Sequence, residues 1–538
     1  MLYQNVYSLF RSQCAKYGEK PVFYTKSGSG WSVQTWAEFE ERTLALACAF
    51  LAKGLKRGAS VAILAGNVPE WTIADIAAIA AGGVGVGIYP TSSPEQCAYI
   101  IEHSDAEFVI TDSRAQLAKV ASSKFENVRE ILCIEDGSFE RFLDLGREHH
   151  SEYLPQVEAI GGSLHAEDIA IMVYTSGTTG RPKGAMLSHR YVLNSVESLR
   201  LSVPIFDTDV SFSYLPGCHV AERISGIYNR LYNGTSVHFV DDLSRLYEYM
   251  LDVRPTVFAS LPRFFEKMHS AIVLKHTKGT IEPQAVKDGF GGRIRLLTSG
   301  GAPLPTEIAQ FFANAGVPIL QAYGLTENIC AAFNTFEHLE FGTVGRPMPM
   351  CEIKIAADGE ILISGRLMFS GYYKEPEKTA EMFTDDGWLL TGDLGELDED
   401  GFLKITGRKK EMIVLSSGKN VAPALIENMI RESHLISQCF VYGDGRSYCV
   451  ALVTLNPAEA AFAGTYAEMA KSEAMRAAVE KIIAAANARV SNSEQVKRFA
   501  ILERDLDAEH DEVTPTMKLK RKVVAGNFKE LLEKLYES

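Results

Sequence analysis

Three short apolar runs constrain the fold of this chain most: SVAILAG (Ser60–Gly66), VGVGIYP (Val84–Pro90) and EFVITD (Glu107–Asp112). None alternates apolar with polar residues, which is the texture of strands buried on both faces. Between the first two, Pro69–Ala81 predicts a helix beginning near Asn67. After the second, Ser93 and Gln96 form a capping box that opens another. Strand, helix and strand in repetition predict right-handed βαβ units and a parallel sheet covered on both sides. Ahead of them, Thr35–Lys53 carries apolar residues at Trp36, Phe39, Leu46 and Phe50, with Gly54 as its stop.

The rhythm resumes downstream. Ile169–Val173 predicts a buried strand, Asp209–Pro216 and Thr235–Val240 flank a helix, and Arg293–Leu304 and Val317–Glu327 flank another. Near Gly342 the texture changes to short strands with Asp358-Gly359 and Asp400-Gly401 turns, which predicts a small antiparallel or barrel-like subdomain. A boundary is expected in GRKKEM, dividing the chain into residues 1–407, a joint at 408–411 and an α+β domain over 412–538. In the last of these, the Ala-rich stretch Ala458–Arg489, interrupted by Gly464, predicts two surface helices. The fold class is α/β: a large N-terminal domain of parallel βαβ sheets with a barrel-like subdomain, then a smaller α+β domain.

Composition narrows the function classes. At 46% hydrophobic and 23% charged residues the chain is globular. A formal charge of −14 argues against nucleic acid as a partner, since counterion release needs clustered Lys and Arg. The nine Cys show no CxxC spacing, so neither a zinc site nor a disulfide framework is indicated, and reduced cytoplasmic thiols are expected. The N-terminus has no signal-peptide pattern, and the most apolar segment, Ile73–Ile88, is too short to span a bilayer. Peripheral membrane contact and oligomeric state stay open.

Tyr174–Gly184, YTSGTTGRPKG, packs three Thr, one Ser and three Gly behind a strand. Such a loop suits phosphate oxygens, and Lys183 adds a point charge; a plain surface loop would have the same composition. It is not a Walker A loop, because Pro182 precedes the Lys and Gly184 follows it. Ser299-Gly300-Gly301-Ala302-Pro303 is a strand-end turn or the wall of a flat ligand site. Gln321–Glu327, QAYGLTE, offers an aromatic for stacking, a hydroxyl for phosphate and a carboxylate for Mg²⁺. A capped helix start at Thr326 would explain the Thr but not the Glu. Thr391-Gly392-Asp393 reads as a strand end whose carboxylate could take ribose hydroxyls or simply cap a turn. The basic run TPTMKLKRK (Thr514–Lys522) is either a solvated face or a site on an acidic chain.

In order and spacing these stretches resemble the adenylate-forming superfamily of acyl-CoA synthetases, peptide-synthetase adenylation domains and luciferases, from about Tyr24 to Lys522. AILAGNVPEW (Ala62–Trp71), SYLPGCHVAER (Ser213–Arg223) and GRKKEMIVLSSGKNVAP (Gly407–Pro423) look like its long-chain fatty acyl-CoA synthetase branch. The resemblance implies that Thr175, Ser176, Gly177, Thr178, Thr179, Gly180 and Lys183 hold the ATP β- and γ-phosphates. It implies Tyr323 on adenine, with Gly300, Gly301, Ala302 and Pro303 lining the other side and Gln321, Ala322 and Gly324 beside it. Thr326 would meet the α-phosphate, Glu327 the Mg²⁺, and Asp393 with Arg408 the ribose. Lys518 would bridge the fatty carboxylate and the α-phosphate. The C-terminal domain would turn about Lys410 between two half-reactions, bringing in Gly418 and Lys419 for coenzyme A.

The acyl pocket is the least marked. The resemblance puts His219 and the helix Val220–Leu231 near its mouth. Some family members place a gating Trp there, and none of Trp31, Trp36, Trp71 and Trp388 falls near it in sequence. The expected activity is ATP- and Mg²⁺-dependent ligation of a fatty acid, long-chain favoured, to coenzyme A. Alternatives are a medium-chain or aryl acid ligase, a ligase loading a carrier protein, and a non-catalytic nucleotide- or lipid-binding relative.

Overall fold

A computed structural model of the protein describes residues 2–175, 181–275, 281–457, 460, 462–507, 509–514 and 519–537. The three opening runs lie side by side in one six-stranded sheet. Its order is Glu130–Cys133, Ala106–Thr111, Ser60–Leu64, Val84–Gly87, Ile169–Thr175 and Lys183–Ser188. All neighbours are parallel except the last pair. Every residue of Ser60–Leu64, Val84–Gly87 and Ala106–Thr111 is buried, as strands covered on both faces must be. The Trp36–Ala52 helix is capped at Thr35 by a box with Glu38, and the Pro94–His103 helix by the Ser93–Gln96 box. Pro69–Ala80 starts from Val68, one residue beyond the expected Asn67.

A second group of strands runs Gly30–Thr35, Pro21–Ser27, Ser236–Phe239 and Val210–Ser213, the last two parallel. Thr256 N–H donates to the Val210 carbonyl at 3.0 Å, setting this group beside Val257–Ser260. From there Leu296–Gly300 and Ile319–Tyr323 follow in parallel. Between Val210–Ser213 and Ser236–Phe239 the expected helix is a π-helix, Ala221–Tyr228, continued by the α-helix Asn229–Asn233.

After residue 342 the strands turn antiparallel: Cys351–Ile355, Glu360–Gly365, Leu389–Leu397 and Leu403–Arg408. Val344 N–H bonds the Leu403 carbonyl, and Leu403 N–H bonds that of Gly345, both at 2.8 Å. The sheet thereby curls back on itself as the barrel-like pattern required. Beyond it, Ile436–Tyr442, Cys449–Leu455 and Val496–Ile501 form a separate sheet with its own cores and helices. The two Ala-rich helices are Tyr466–Lys471 and Glu473–Asn487, so the break falls at Ser472 and not at Gly464. Thr465 caps the first helix in a box with Glu468, which places Gly464 ahead of both.

The C-terminal unit rests on the helix Pro262–Lys275. Arg263 Nη2 donates to Ser437 Oγ at 3.0 Å, and the His269 and His434 rings stack at 4.8 Å and 27°. Arg431 stands 3.9 Å from Glu266, and Arg263 stands 3.7 Å from Asp505.

Candidate active site

The parallel strands Leu296–Gly300 and Ile319–Tyr323 end at one edge, the usual place for a ligand in an open α/β sheet. Gly300 pairs with Ala322, and Leu304 N–H donates to Gln321 Oε1 at 3.3 Å, fastening the exposed Gly301–Pro303 turn beside the strand end. Among the described residues the buried Ser299 Oγ there has no hydrogen-bond partner.

The residues after Tyr323 do not start a helix. Leu325 and Asn328 exchange backbone bonds at 2.8 and 3.2 Å, closing a tight turn. A Cβ on Gly324 would lie 2.1 Å from the Ile329 carbonyl oxygen, so the turn closes only around glycine. Tyr191, fully buried, braces it: its hydroxyl donates to the Thr326 carbonyl at 2.9 Å and accepts from Ile329 N–H at 3.0 Å. Thr326 and Glu327 therefore sit on a rigid turn.

Tyr323 Oη donates to Asp393 Oδ2 at 2.7 Å, and Arg408 Nε lies 3.0 Å from Asp393 Oδ1. Burial first, then the Asp393 charge, push the Tyr323 phenol well above its ordinary value, so it remains a donor. Asp393 and Arg408 face each other across adjacent strands. Asp393 is not at a strand end, as the sequence suggested. It lies inside Leu389–Leu397, where Leu390 pairs with Leu362 and Leu394 with Glu360, so extra residues bulge out. Gly392, at φ +70°, permits that bulge, and its N–H donates to Glu360 Oε1 at 2.8 Å. The other Glu360 oxygen accepts from Lys409 at 2.7 Å, which ties the bulge to the residue beside Lys410.

The strand Lys183–Ser188 brings the third group. The glycine- and threonine-rich stretch is the connection between two antiparallel strands, with Thr175 opposite Lys183. Lys183 Nζ lies 4.5 Å from the centre of the Tyr372 ring, and the Tyr372 hydroxyl donates to Glu327 Oε1. Residues 370–373 run antiparallel along this strand, with Met186 N–H to the Gly371 carbonyl at 2.9 Å and Tyr373 N–H to that of Gly184 at 2.8 Å. Burial, then Glu327, hold the Tyr372 phenol far above its ordinary value.

Ser176, Gly177, Thr178, Thr179, Gly180 and Lys518 lie outside the described residues. Of the basic run around Lys518, Lys520 pairs with Asp511, and Arg521 with Glu427 at 2.7 Å, so part of it is structural. Lys410, Gly418 and Lys419 are exposed on the C-terminal side. Among the described residues no hydrogen bond or ion pair joins them to Glu327 or Asp393. His219 Nδ1 accepts from Ala221 N–H at 3.1 Å at the start of the π-helix. Trp71, remote in sequence, packs there: a Cβ on Gly217 would stand 2.9 Å from its ring. Beneath lies a fully buried ion pair, Arg223 with Asp75 (Nε to Oδ2 3.1 Å), shared with the Tyr228 hydroxyl at 2.7 Å. Sequence reasoning missed Tyr191, Glu360 and Tyr372; the only local sign was Gly371 preceding a Tyr pair.

The pattern of AMP-binding enzymes matches residues 10–373, and that of the AMP-binding enzyme C-terminal domain matches residues 410–538. The long-chain-fatty-acid–CoA ligase FadD15 of Mycobacterium tuberculosis is 35% identical, over 96% of this chain and 94% of its own. The long-chain-fatty-acid–CoA ligase ACSBG2 of Gallus gallus is 31% identical, over 99% and 81%. Among solved structures, the anthranilate CoA ligase AuaEII in complex with anthranoyl-AMP superposes with a TM-score of 0.80 at 20% identity, over 99% of each chain. The ATP-bound MatB of Rhodopseudomonas palustris gives 0.76 at 24%, over 98% and 99%, a likeness of fold. With both patterns in order along it and near-complete overlap with relatives above 30% identity, this chain belongs to the AMP-binding enzyme family.

Proposed function

We propose that the protein ligates a fatty acid, long-chain by preference, to coenzyme A, using ATP and passing through an acyl-adenylate. The observation that carries this reading is the 35% identity to a long-chain-fatty-acid–CoA ligase along nearly the whole of both chains. In the first half-reaction a fatty carboxylate oxygen attacks the α-phosphorus of ATP, and the bond to the pyrophosphate oxygen breaks. Thr175 to Gly180 with Lys183 hold the β- and γ-phosphates. Tyr323 stacks on adenine against Gly300–Pro303, with Gln321, Ala322 and Gly324 shaping the strand end, and Asp393 with Arg408 takes the ribose hydroxyls. The Tyr323–Asp393 hydrogen bond supports this by fixing the aromatic and the carboxylate to each other before any ligand arrives.

Thr326 faces the α-phosphate, and Lys518 opposes the charge that develops on it. Glu327 and Thr326 provide oxygen donors only, the set that Mg²⁺ takes together with phosphates. When bound, that cation neutralises charge on the departing pyrophosphate.

In the second half-reaction the coenzyme A thiol attacks the acyl-adenylate carbonyl, AMP leaves, and the thiol proton passes to solvent. Residues 1–407 and 412–538 then act as domains joined at 408–411, turning about Lys410 to bring Gly418 and Lys419 to the site. The contact between the two supports this. Among the described residues Arg263 Nη1, His269 Nδ1 and Arg431 Nε are buried in or beside it without hydrogen-bond partners, and a contact so imperfectly satisfied is cheap to break. His219 and Trp71 border the acyl mouth.

No helix among the described residues is long and apolar enough to cross a membrane. We place the protein in the cytoplasm. Pyrophosphate and thioester are measured across short, medium, long and aromatic acids, with and without coenzyme A. Long-chain acids are expected to release most pyrophosphate and to yield thioester on free coenzyme A. Absence of carboxylate-dependent pyrophosphate release, or a preference for aromatic acids, refutes the reading.

A further inference from the structure

The hairpin that reads as the phosphate grip is held at both roots by one helix that no motif marks. Pro94–His103 buries Cys97, Ile100 and Ile101 in the core, which leaves Tyr99 and His103, four residues apart, on a different face. Tyr99 Oη donates to the Pro182 carbonyl at 3.2 Å, and the Arg181 guanidinium lies over its ring at 5.2 Å. These are the residues by which the chain returns to Lys183. At the other root, His103 Nδ1 and Tyr174 Oη are hydrogen-bonded at 2.8 Å, one residue before Thr175. The Tyr174 ring lies against Gly184, where a Cβ would stand 3.1 Å from its Cζ.

The clamp is itself anchored. Lys374 Nζ donates to the His103 carbonyl at 3.1 Å and pairs with Asp105 at 2.7 Å, and Tyr373 Oη donates to Asp105 at 2.8 Å. Asp105 and Lys374 both hold positive φ, 51° and 58°, uncommon outside glycine, and each is tied into these contacts. Tyr373 and Lys374 directly follow Tyr372, which faces Lys183 and Glu327. One connected set of contacts thus runs from the helix through the hairpin roots to the carboxylate of the rigid turn.

We propose that Tyr99 and His103 are positioning residues for ATP: they fix the spacing of the two hairpin roots, Tyr174–Thr175 and Arg181–Lys183, and so hold Lys183 where it meets the phosphates. The proposal rests on the reading of this hairpin as the phosphate grip. Neither residue reaches the substrate in this scheme, so removing their contacts should weaken ATP capture and leave the coenzyme A step alone.

The test compares Tyr99→Phe, His103→Leu and His103→Gln with the wild type. Binding of a non-cleavable α,β-methylene ATP is measured by calorimetry, alongside KM and kcat in pyrophosphate release and thioester formation from supplied acyl-AMP. Loss of one net hydrogen bond predicts about two- to tenfold weaker analogue binding and a matching rise in KM for ATP. Tyr99→Phe and His103→Leu should show it, His103→Gln should recover most of it, and the thioester step should stay within twofold of wild type. Unchanged analogue affinity in folded Tyr99→Phe and His103→Leu overturns the proposal, as does an equal loss in both half-reactions. A wild type that binds the analogue yet releases no fatty-acid-dependent pyrophosphate overturns the ligase reading, and the binding comparison still decides the clamp.

Discussion

Replacing Tyr372 by Phe removes one oxygen atom and isolates what its hydroxyl does. In the folded chain that hydroxyl donates to Glu327 Oε1, while the ring lies 4.5 Å beneath the Lys183 ammonium. Tyr372 is 5% exposed and Glu327 8%, so water cannot freely replace the lost donor. A hydrogen bond to a charged group contributes about 1.5–3 kcal/mol, which as lost transition-state stabilisation is about ten- to hundredfold in kcat/KM. The ring stays, so the cation–π contact of about 0.5–2 kcal/mol survives in Tyr372→Phe and is lost only in Tyr372→Leu, which should fall a further few-fold. The assay is fatty-acid-dependent pyrophosphate release over a Mg²⁺ titration. The midpoint should move in Tyr372→Phe, because Glu327 loses the partner that fixes one of its oxygens. A Tyr372→Phe enzyme within twofold of wild type at every Mg²⁺ concentration refutes the idea that this hydroxyl orients Glu327.

Lys518→Ala should abolish acyl-AMP formation and leave thioester formation from supplied acyl-AMP; undiminished pyrophosphate release would sink the assignment. Lys410→Pro, which restricts φ at the joint, should slow thioester formation and retain adenylation, and equal loss of both steps would refute a selective hinge. Arg223→Met takes away the ion-pair partner of Asp75 where both side chains are fully buried and leaves it only the Tyr228 hydroxyl, a destabilisation of about 3–5 kcal/mol. Thermal unfolding should show it, Asp75→Leu added to Arg223→Met should recover much of it, and a single variant as stable as wild type refutes the estimate. Burial, and then His434, lower the His269 pKa from its ordinary 6.5 to about 4. The folded chain binds fewer protons here than the unfolded one, so this contribution to stability is whole above about pH 6.5 and is lost as pH falls toward 4. The midpoint of chemical unfolding should fall over that window, and a His269→Phe variant with the same pH profile would count against it.

What could be read in advance depends on how far each signal reaches along the chain. The unbroken apolar runs and the Ser93–Gln96 box are local, and both bonds of that box are present, at 3.0 and 3.3 Å. Asp393 was visible as a polar residue at the end of an apolar run, yet its seat was not. The bulge that turns it toward Tyr323 arises from register against Glu360, some thirty residues earlier. Tyr191 and Tyr372 were invisible for a different reason. Each spends its ring on packing and its hydroxyl on groups far away in sequence, and such a residue is there indistinguishable from ordinary core. The acyl mouth shows how misleading sequence distance can be, since no Trp lies near His219 along the chain while Trp71 lies against Gly217 in space. Gly217 has no positive φ, so no turn demands glycine there; the demand comes from the indole that would collide with a Cβ. A turn glycine and a contact glycine look alike in a sequence. Only the partner, 146 residues away, tells them apart, and Trp71→Ala should therefore make Gly217→Ala tolerable where it was not before.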